Sequence, residues 1–371
     1  MSNKMYANNG LKGLNNLGNS CFANSGMQIL SNTYELNDAL DARLKRHHFP
    51  NKNNASDQIL YEWNKLRAQL WDNSEQQELN IHTNGRIRSK PITPTDFINC
   101  LYQSAKNHNN NVDVFQNNMQ NDMGELISFV LDQIHKSIKL KCKNERVTRS
   151  RPPIISNPIL KQVCESQPEN EYSEIYELFY FLTKSSIYMQ SKSDNNARKI
   201  SDTQELNCVI YLDIAPSLYE CLNLYTNPEW IDGYYYEAKN IRTRVVKQLL
   251  FKTLPRILTI CLKRLQFSAE RGDFYKSTCL VDFPENLNMQ NYCSHENINL
   301  NQSFYKYQLY GIGNHYDDGR GGGHYTSIIK NANMKWYEYN DECVYQIDSN
   351  KIVTANAYCL FYRNIVDPIV S

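Results

Sequence analysis

Two periodicities divide this chain. Near the amino end, Phe22, Met27, Ile29 and Leu30 fall roughly on one helical face, and Asn32 is placed to stop that helix. Leu126, Val130, Ile134 and Ile138 recur every four residues, an amphipathic helix with acidic residues in its first turn. Thr93-Pro94-Thr95-Asp96 reads as a further helix start, with Thr93 as cap and a body running through Phe97, Leu101 and Tyr102. Farther along, runs rich in β-branched and aromatic residues read as strands: 206–214, 257–262, 305–312, 325–329, 335–339 and 357–362. Polar stretches separate these blocks. Residues 41–90 read as helix and loops, and 141–173, with Pro152-Pro153, as a loop or insertion with a solvated basic surface.

Composition narrows the class. The chain has 371 residues, enough for one large domain or two smaller ones. Lys and Arg total 40 against 39 Asp and Glu, leaving +1, so no nucleic-acid surface or charged tail is signalled. The 26 tyrosines within 12% aromatic content argue for an ordered protein with much strand. The first residues lack a signal-like apolar core, and no apolar run reaches membrane-spanning length, so an intracellular soluble protein is expected. Eleven cysteines are scattered with no C-x-x-C pair. That pattern signals neither a zinc site nor a disulfide framework, and reduced thiols are expected.

Candidate chemistry begins at Gly13-Leu14-Asn15-Asn16-Leu17-Gly18-Asn19-Ser20-Cys21, a Gly/Asn turn running into the first helix. Glycine and asparagine tolerate the left-handed conformations such a turn needs. A thiol at a helix amino terminus lies beside unpaired N–H groups and the positive end of the macrodipole, a setting that favours the nucleophilic thiolate. Among eight histidines, His324 stands out, opening a strand after the glycine-rich stretch 314–323, which reads as a flexible loop.

The letters around these residues carry a resemblance. GLNNLGNSCFANSGMQIL is similar to the cysteine box of the ubiquitin-specific proteases, and QNDMGELISFVLDQIH to that family's acidic helix. LPRILTICLKRL, FPENL and GHYTSIIKN, followed by WYEYNDECV and AYCLFYR, resemble its later motifs in order. Departures are mild: Ser20, Phe22 and Ala23 in the first box, Asn121 in the second, Leu265 where Phe is usual.

The resemblance implies an α+β, papain-like cysteine peptidase as a single domain over 10–371. It divides into a helical thumb (about 10–140), strand-rich fingers (about 174–250) and an antiparallel β palm interleaved with them (about 205–371). It implies Cys21 as nucleophile, His324 as general base and acid, and Asn340 as the residue orienting the imidazole, with Asp341 a second candidate. Asn16 takes the position of the oxyanion-hole side chain. Asp122 and Glu125 would face the arginine-containing tail of ubiquitin, and Gly323 and Tyr325 would line its path. The implied activity is thiol-dependent hydrolysis after the terminal glycine of ubiquitin, without cofactor, on ubiquitin and ubiquitinated proteins, by a monomer. A non-catalytic ubiquitin-binding scaffold and a protease for another ubiquitin-like modifier are the alternatives. Many members carry two C-x-x-C pairs for a structural zinc, but here Ile187–Gln190 and Tyr236–Lys239 stand there, so no metal is expected and side-chain packing must hold the fingers.

Overall fold

Helix α1 (Cys21–Ser31) is buried at all 11 of its positions, and Asn32 ends it. In this computed structural model the described residues are 5–46, 54–73, 81–108, 115, 121–141, 171–190, 197–268, 272–294, 302–317 and 323–365. Four more helices surround the amino-terminal half: α2 (Tyr34–Arg46), α3 (Ala55–Trp71), α4 (Thr95–His108) and α5 (Met123–Ile138). Side-chain caps start two of them, Asn54 accepting from the Asp57 N–H and Asp122 from the Glu125 N–H. Helix α4 begins at Thr95, past the expected cap, and the Thr93 hydroxyl instead accepts from Asn15 Nδ2 at 2.8 Å.

Beyond α5, the short strands β1 (Leu140–Lys141) and β2 (Glu171–Tyr172) pair antiparallel. The stretch read as one loop therefore has a ladder at its ends; its interior, 142–170, lies outside the described residues. Helix α6 (Glu174–Phe179) follows, then β3 (Phe181–Gln190), β4 (Ala197–Asn207), β5 (Ile210–Leu212), helix α7 (Leu218–Thr226), β6 (Glu229–Tyr236) and β7 (Ile241–Phe251). The chain continues through β8 (Ile257–Leu262), β9 (Leu265–Ser268), β10 (Asp273–Lys276), β11 (Asn286–Asn288) and β12 (Lys306–Asp317). It closes with β13 (Gly323–Lys330), β14 (Trp336–Asn340), β15 (Cys343–Ile347) and β16 (Ala357–Asn364). The expected strand over 206–214 is thus two elements, β4 and β5.

Two sheets dominate. One has four antiparallel strands ordered β4-β3-β7-β6. The other has eight, ordered β15-β14-β13-β12-β16-β8-β5 with β11 on β12, and all its pairs are antiparallel except β5 with β8. An entirely antiparallel palm was expected; β5 departs because the chain leaves it through α7 and the four-stranded sheet before returning as β8.

The core follows strand alternation. On β16, Cys359 and Phe361 pack with the helices, while Leu360 and Tyr362 face a second apolar cluster across the sheet. All six residues of β8 are buried, as a strand covered on both faces requires. Helix α1 lies between α5 and strands β12, β13 and β14, which is why it is enclosed rather than amphipathic. Close packing shows at Gly313, where an added Cβ would lie 1.9 Å from Met123 Cε.

Two sequence expectations are corrected here. Residues 314–317 and 323 lie in a ladder, with Asp317 opposite Gly323, because β12 and β13 extend farther than the glycines suggested. The rest of that stretch, 318–322 with Asp318, lies outside the described residues. Reduced thiols were expected, yet Cys261 and Cys359 form a disulfide between β8 and β16. The register sets these residues opposite each other although 98 positions separate them in sequence. Among the described residues no helix is long and apolar enough to cross a membrane.

Candidate active site

Cys21 opens helix α1, whose first N–H groups have no carbonyl one turn earlier within the helix. His324 is the second residue of β13, and Asn340 ends the neighbouring β14. The packing of α1 across these strands brings the three together. The Cys21 side chain faces the His324 ring closely enough to shift its titration. His324 Nε2 lies 2.8 Å from Asn340 Oδ1, so this nitrogen donates to the amide carbonyl and leaves Nδ1 for the thiol. The Cys21 side chain is the main reason the His324 pKa is raised to about 9; partial burial opposes it, and Asn340 and the charge of Asp341 add to it. Near neutral pH the imidazole is therefore protonated beside the sulfur.

Asp341, the second candidate for orienting this ring, makes no hydrogen bond to it. Its Oδ2 is 4.0 Å from His324 Nε2, beyond hydrogen-bond reach. Instead it accepts from two other amides, Asn16 Nδ2 at 2.9 Å on Oδ2 and Asn24 Nδ2 at 2.8 Å on Oδ1. It lies in the turn between β14 and β15 with φ of +46°, and its carbonyl accepts from the Leu14 N–H at 2.8 Å.

Asn16 sits in the turn preceding α1, where Gly18 and Asn19 take the expected left-handed conformations, φ +85° and +53°. Asn16 Oδ1 accepts from the backbone N–H of Gly18 at 3.0 Å and of Ser20 at 3.2 Å. With the carbonyl end fixed and one N–H given to Asp341, the exposed amide retains a second N–H. An amide held this way is suited to receive an oxyanion formed at a carbonyl attacked by Cys21.

Asp122 and Glu125 lie at the start of α5. Asp122 caps the helix through Oδ1, 2.9 Å from the Glu125 nitrogen, while Oδ2 accepts from the Tyr358 hydroxyl. Burial, and then the charge of Asp122, raises the pKa of the exposed Glu125 carboxyl. Tyr325 follows His324, is 5% exposed, and stacks on the His315 ring at 4.3 Å, with Tyr358 at 6.2 Å. Gly323 begins β13 opposite Asp317. His315 is held to a pKa of about 4, chiefly by burial. Sequence reasoning assigned no role to Tyr358, His315 or Asn24. Only Asn24 left a usable signal, a buried amide three residues after Cys21 and so close to it on the helix.

Side-chain contacts tie β6 to β7. Arg244 lies over the Trp230 ring at 4.4 Å and pairs with Asp232 at 3.0 Å, and Tyr235 Oη donates to Asn240 Oδ1 at 2.5 Å. Among the described residues no group of three or more His, Cys, Asp or Glu could hold a metal ion.

The chain is similar to known proteins over most of its length. The chain is 30% identical over 363 residues to Ubiquitin carboxyl-terminal hydrolase Usp2 of Drosophila melanogaster, covering 95% of this chain and 35% of that protein. It is 29% identical over 371 residues to human Ubiquitin carboxyl-terminal hydrolase 2, covering 95% and 55% respectively. The chain thus spans only about a third to a half of these curated relatives. Among solved structures, the SAGA Ubp8/Sgf11/Sus1/Sgf73 DUB module bound to ubiquitin aldehyde matches with a TM-score of 0.69 and 24% identity, over 97% of this chain and 70% of that one. The fold is therefore the α+β, papain-like one expected from the resemblance. The sequence model of the Ubiquitin carboxyl-terminal hydrolase family matches residues 12–362, nearly the whole chain, and the chain belongs to that family.

Proposed function

We propose that this protein is a thiol-dependent deubiquitinase that hydrolyses the peptide or isopeptide bond after the carboxy-terminal glycine of ubiquitin. The observation that carries the reading is the hydrogen bond of His324 to Asn340 with Cys21 acting on the same imidazole, and the Asn16 amide held by the neighbouring Asp341. The Cys21 sulfur attacks the glycine carbonyl, and the negative charge that develops on its oxygen is met by Asn16 Nδ2 and the Cys21 N–H. The His324 imidazolium delivers its proton to the departing amine as the C–N bond breaks. Neutral His324 then takes a proton from water, which attacks the thioester and releases the ubiquitin carboxylate and the thiol. Asp122 and Glu125 supply carboxylates for the arginine-containing tail of the substrate.

In this reading helices α1–α5 form the thumb, the four-stranded sheet the fingers and the eight-stranded sheet the palm, and the protein acts inside the cell. The test uses ubiquitin with a carboxy-terminal electrophile. Covalent capture of the wild-type chain, seen as a mass increase of one ubiquitin and abolished in Cys21→Ser, is expected. Capture that persists in Cys21→Ser, or none with the folded wild type, overturns the proposal.

A further inference from the structure

Asn24 has no assigned part in this chemistry, yet it is among the most constrained side chains near the site. It is 3% exposed, one helical turn past Cys21. Its Nδ2 lies 2.8 Å from Asp341 Oδ1 and 3.3 Å from the carbonyls of Leu14 and Asn15. Because a carboxylate only accepts, both Asn24 and Asn16 must turn their Nδ2 ends toward Asp341. One carboxylate, 8% exposed, thus joins two amides, one on each oxygen.

We infer that Asn24 is a positioning residue for the oxyanion hole, acting through Asp341 on Asn16. This inference rests on the deubiquitinase reading. The argument concerns the rotation of a carboxylate. Held at Oδ2 alone, Asp341 can turn about its Cβ–Cγ bond, and the charged His324 ring, its Nε2 4.0 Å away, attracts it. A carboxylate drawn to that cation leaves Asn16 Nδ2 without its acceptor, and the remaining N–H loses its direction. Asn24 occupies Oδ1, and its own position is set by α1 and by the Leu14 and Asn15 carbonyls. It therefore keeps Oδ2 aimed at Asn16 rather than at the imidazolium. The helix that presents the nucleophile in this way also sets the angle of the oxyanion donor.

A double-mutant cycle tests this, with ubiquitin bearing a carboxy-terminal aminomethylcoumarin amide as substrate and iodoacetamide as a probe of Cys21. Asn16→Ala lowers kcat by about 10²- to 10³-fold, the loss of one oxyanion donor. Asn24→Ala alone lowers kcat by about ten- to a hundredfold, with KM little changed. In the Asn16→Ala background the same change costs less than about threefold, because the residue it positions is gone. The rate of Cys21 alkylation, which needs the thiolate and His324 but no oxyanion hole, stays within about threefold of wild type in Asn24→Ala. Losses that multiply in the double variant, or alkylation that slows in step with kcat, overturn the inference and make Asn24 a general support of the fold. Should Asn24→Ala fail to fold, Asp341→Asn runs through the same cycle with the same two readings. A wild-type chain that does not turn over the substrate instead overturns the deubiquitinase reading itself.

Discussion

Asn16 donates to Asp341 at 2.9 Å across 325 residues of chain. That one bond joins the turn before Cys21 to the turn after Asn340. The two halves of the site are therefore registered directly, not only through the packing of α1 on the sheet. It also separates two adjacent side chains by task, since Asn340 meets the imidazole at 2.8 Å while Asp341 stands 4.0 Å from it. Replacing Asn340 by Ala is expected to release the ring, lowering kcat on a fluorogenic ubiquitin substrate and slowing Cys21 alkylation together. Replacing Asp341 by Ala is expected to lower kcat by roughly 10²-fold, the order of one oxyanion donor, while alkylation is largely kept. Equal behaviour of the two variants in both assays would contradict this division.

The His324 pKa, raised to about 9, sets a direction for pH dependence. The imidazolium must hand its proton to the departing amine, so kcat/KM is expected to fall as pH climbs through about 9. The stabilising contribution of the same group is complete below the ordinary imidazole range and is lost over that same climb. Since Cys21 is its largest cause, Cys21→Ala should return the His324 titration toward ordinary values, which NMR of the ring protons can follow. An unchanged titration would show that another group sustains the shift.

Gly13 gives a steric prediction. An added Cβ would lie 2.3 Å from the carbonyl carbon and oxygen of Glu342 and 2.7 Å from the carbonyl oxygen of Asp341. These are backbone atoms of the turn that holds the site together, so Gly13→Ala must push that turn away. It is expected to cost about 1–3 kcal/mol of stability and to reduce turnover along with it. At Gly313 the obstructing atoms are the end of the unbranched Met123 side chain rather than backbone, so Gly313→Ala should cost less activity. Urea denaturation and kcat of both variants check the ordering.

Much of the site was legible because its chemistry is written in contiguous letters. Cys21 with its Gly/Asn turn, and His324 with the WYEYN strand after it, are local patterns that survive without coordinates. The division between Asn340 and Asp341 was not legible, because strand alternation breaks where Asp341 enters a left-handed turn. The Cys261–Cys359 pairing depends on β8 and β16 being neighbours, a matter of strand order that no spacing reveals. The stretch 314–323 read as a loop from its glycines, but 314–317 and 323 belong to the β12–β13 ladder, whose cross-strand pairing no local composition reveals.

Asp122 has two duties that one substitution separates. It caps α5 and accepts from Tyr358, and its charge is proposed to meet the substrate tail. Asparagine caps a helix about as well as aspartate, so Asp122→Asn should leave the thermal midpoint nearly unchanged. Losing a hydrogen bond to a charged partner should raise KM for the ubiquitin substrate by about ten- to a hundredfold with a smaller change in kcat. An unchanged KM would remove Asp122 from the substrate-binding set and leave it a structural cap.

One buried and one half-buried histidine, His135 and His315, make the fold sensitive to acid. His135 is 4% exposed, stacked on Tyr176 at 3.9 Å and bonded to Ser173 Oγ at 2.7 Å. Burial lowers its pKa to about 4, although Asp132 and Glu171, the latter at 3.8 Å, pull upward; Lys136 and Lys139 add to the lowering. His315 is likewise lowered to about 4, with burial foremost and Lys276 assisting. In the unfolded chain both titrate near 6.5, so between about 6.5 and 4 the unfolded state binds protons that the native state refuses. Stability should be fully present above that window and fall as the pH drops through it. Urea midpoints measured at intervals across the window should decline, and the decline should be shallower in His135→Gln, whatever that substitution does to stability at neutral pH. An identical slope in the variant would mean that His135 takes up its proton without unfolding.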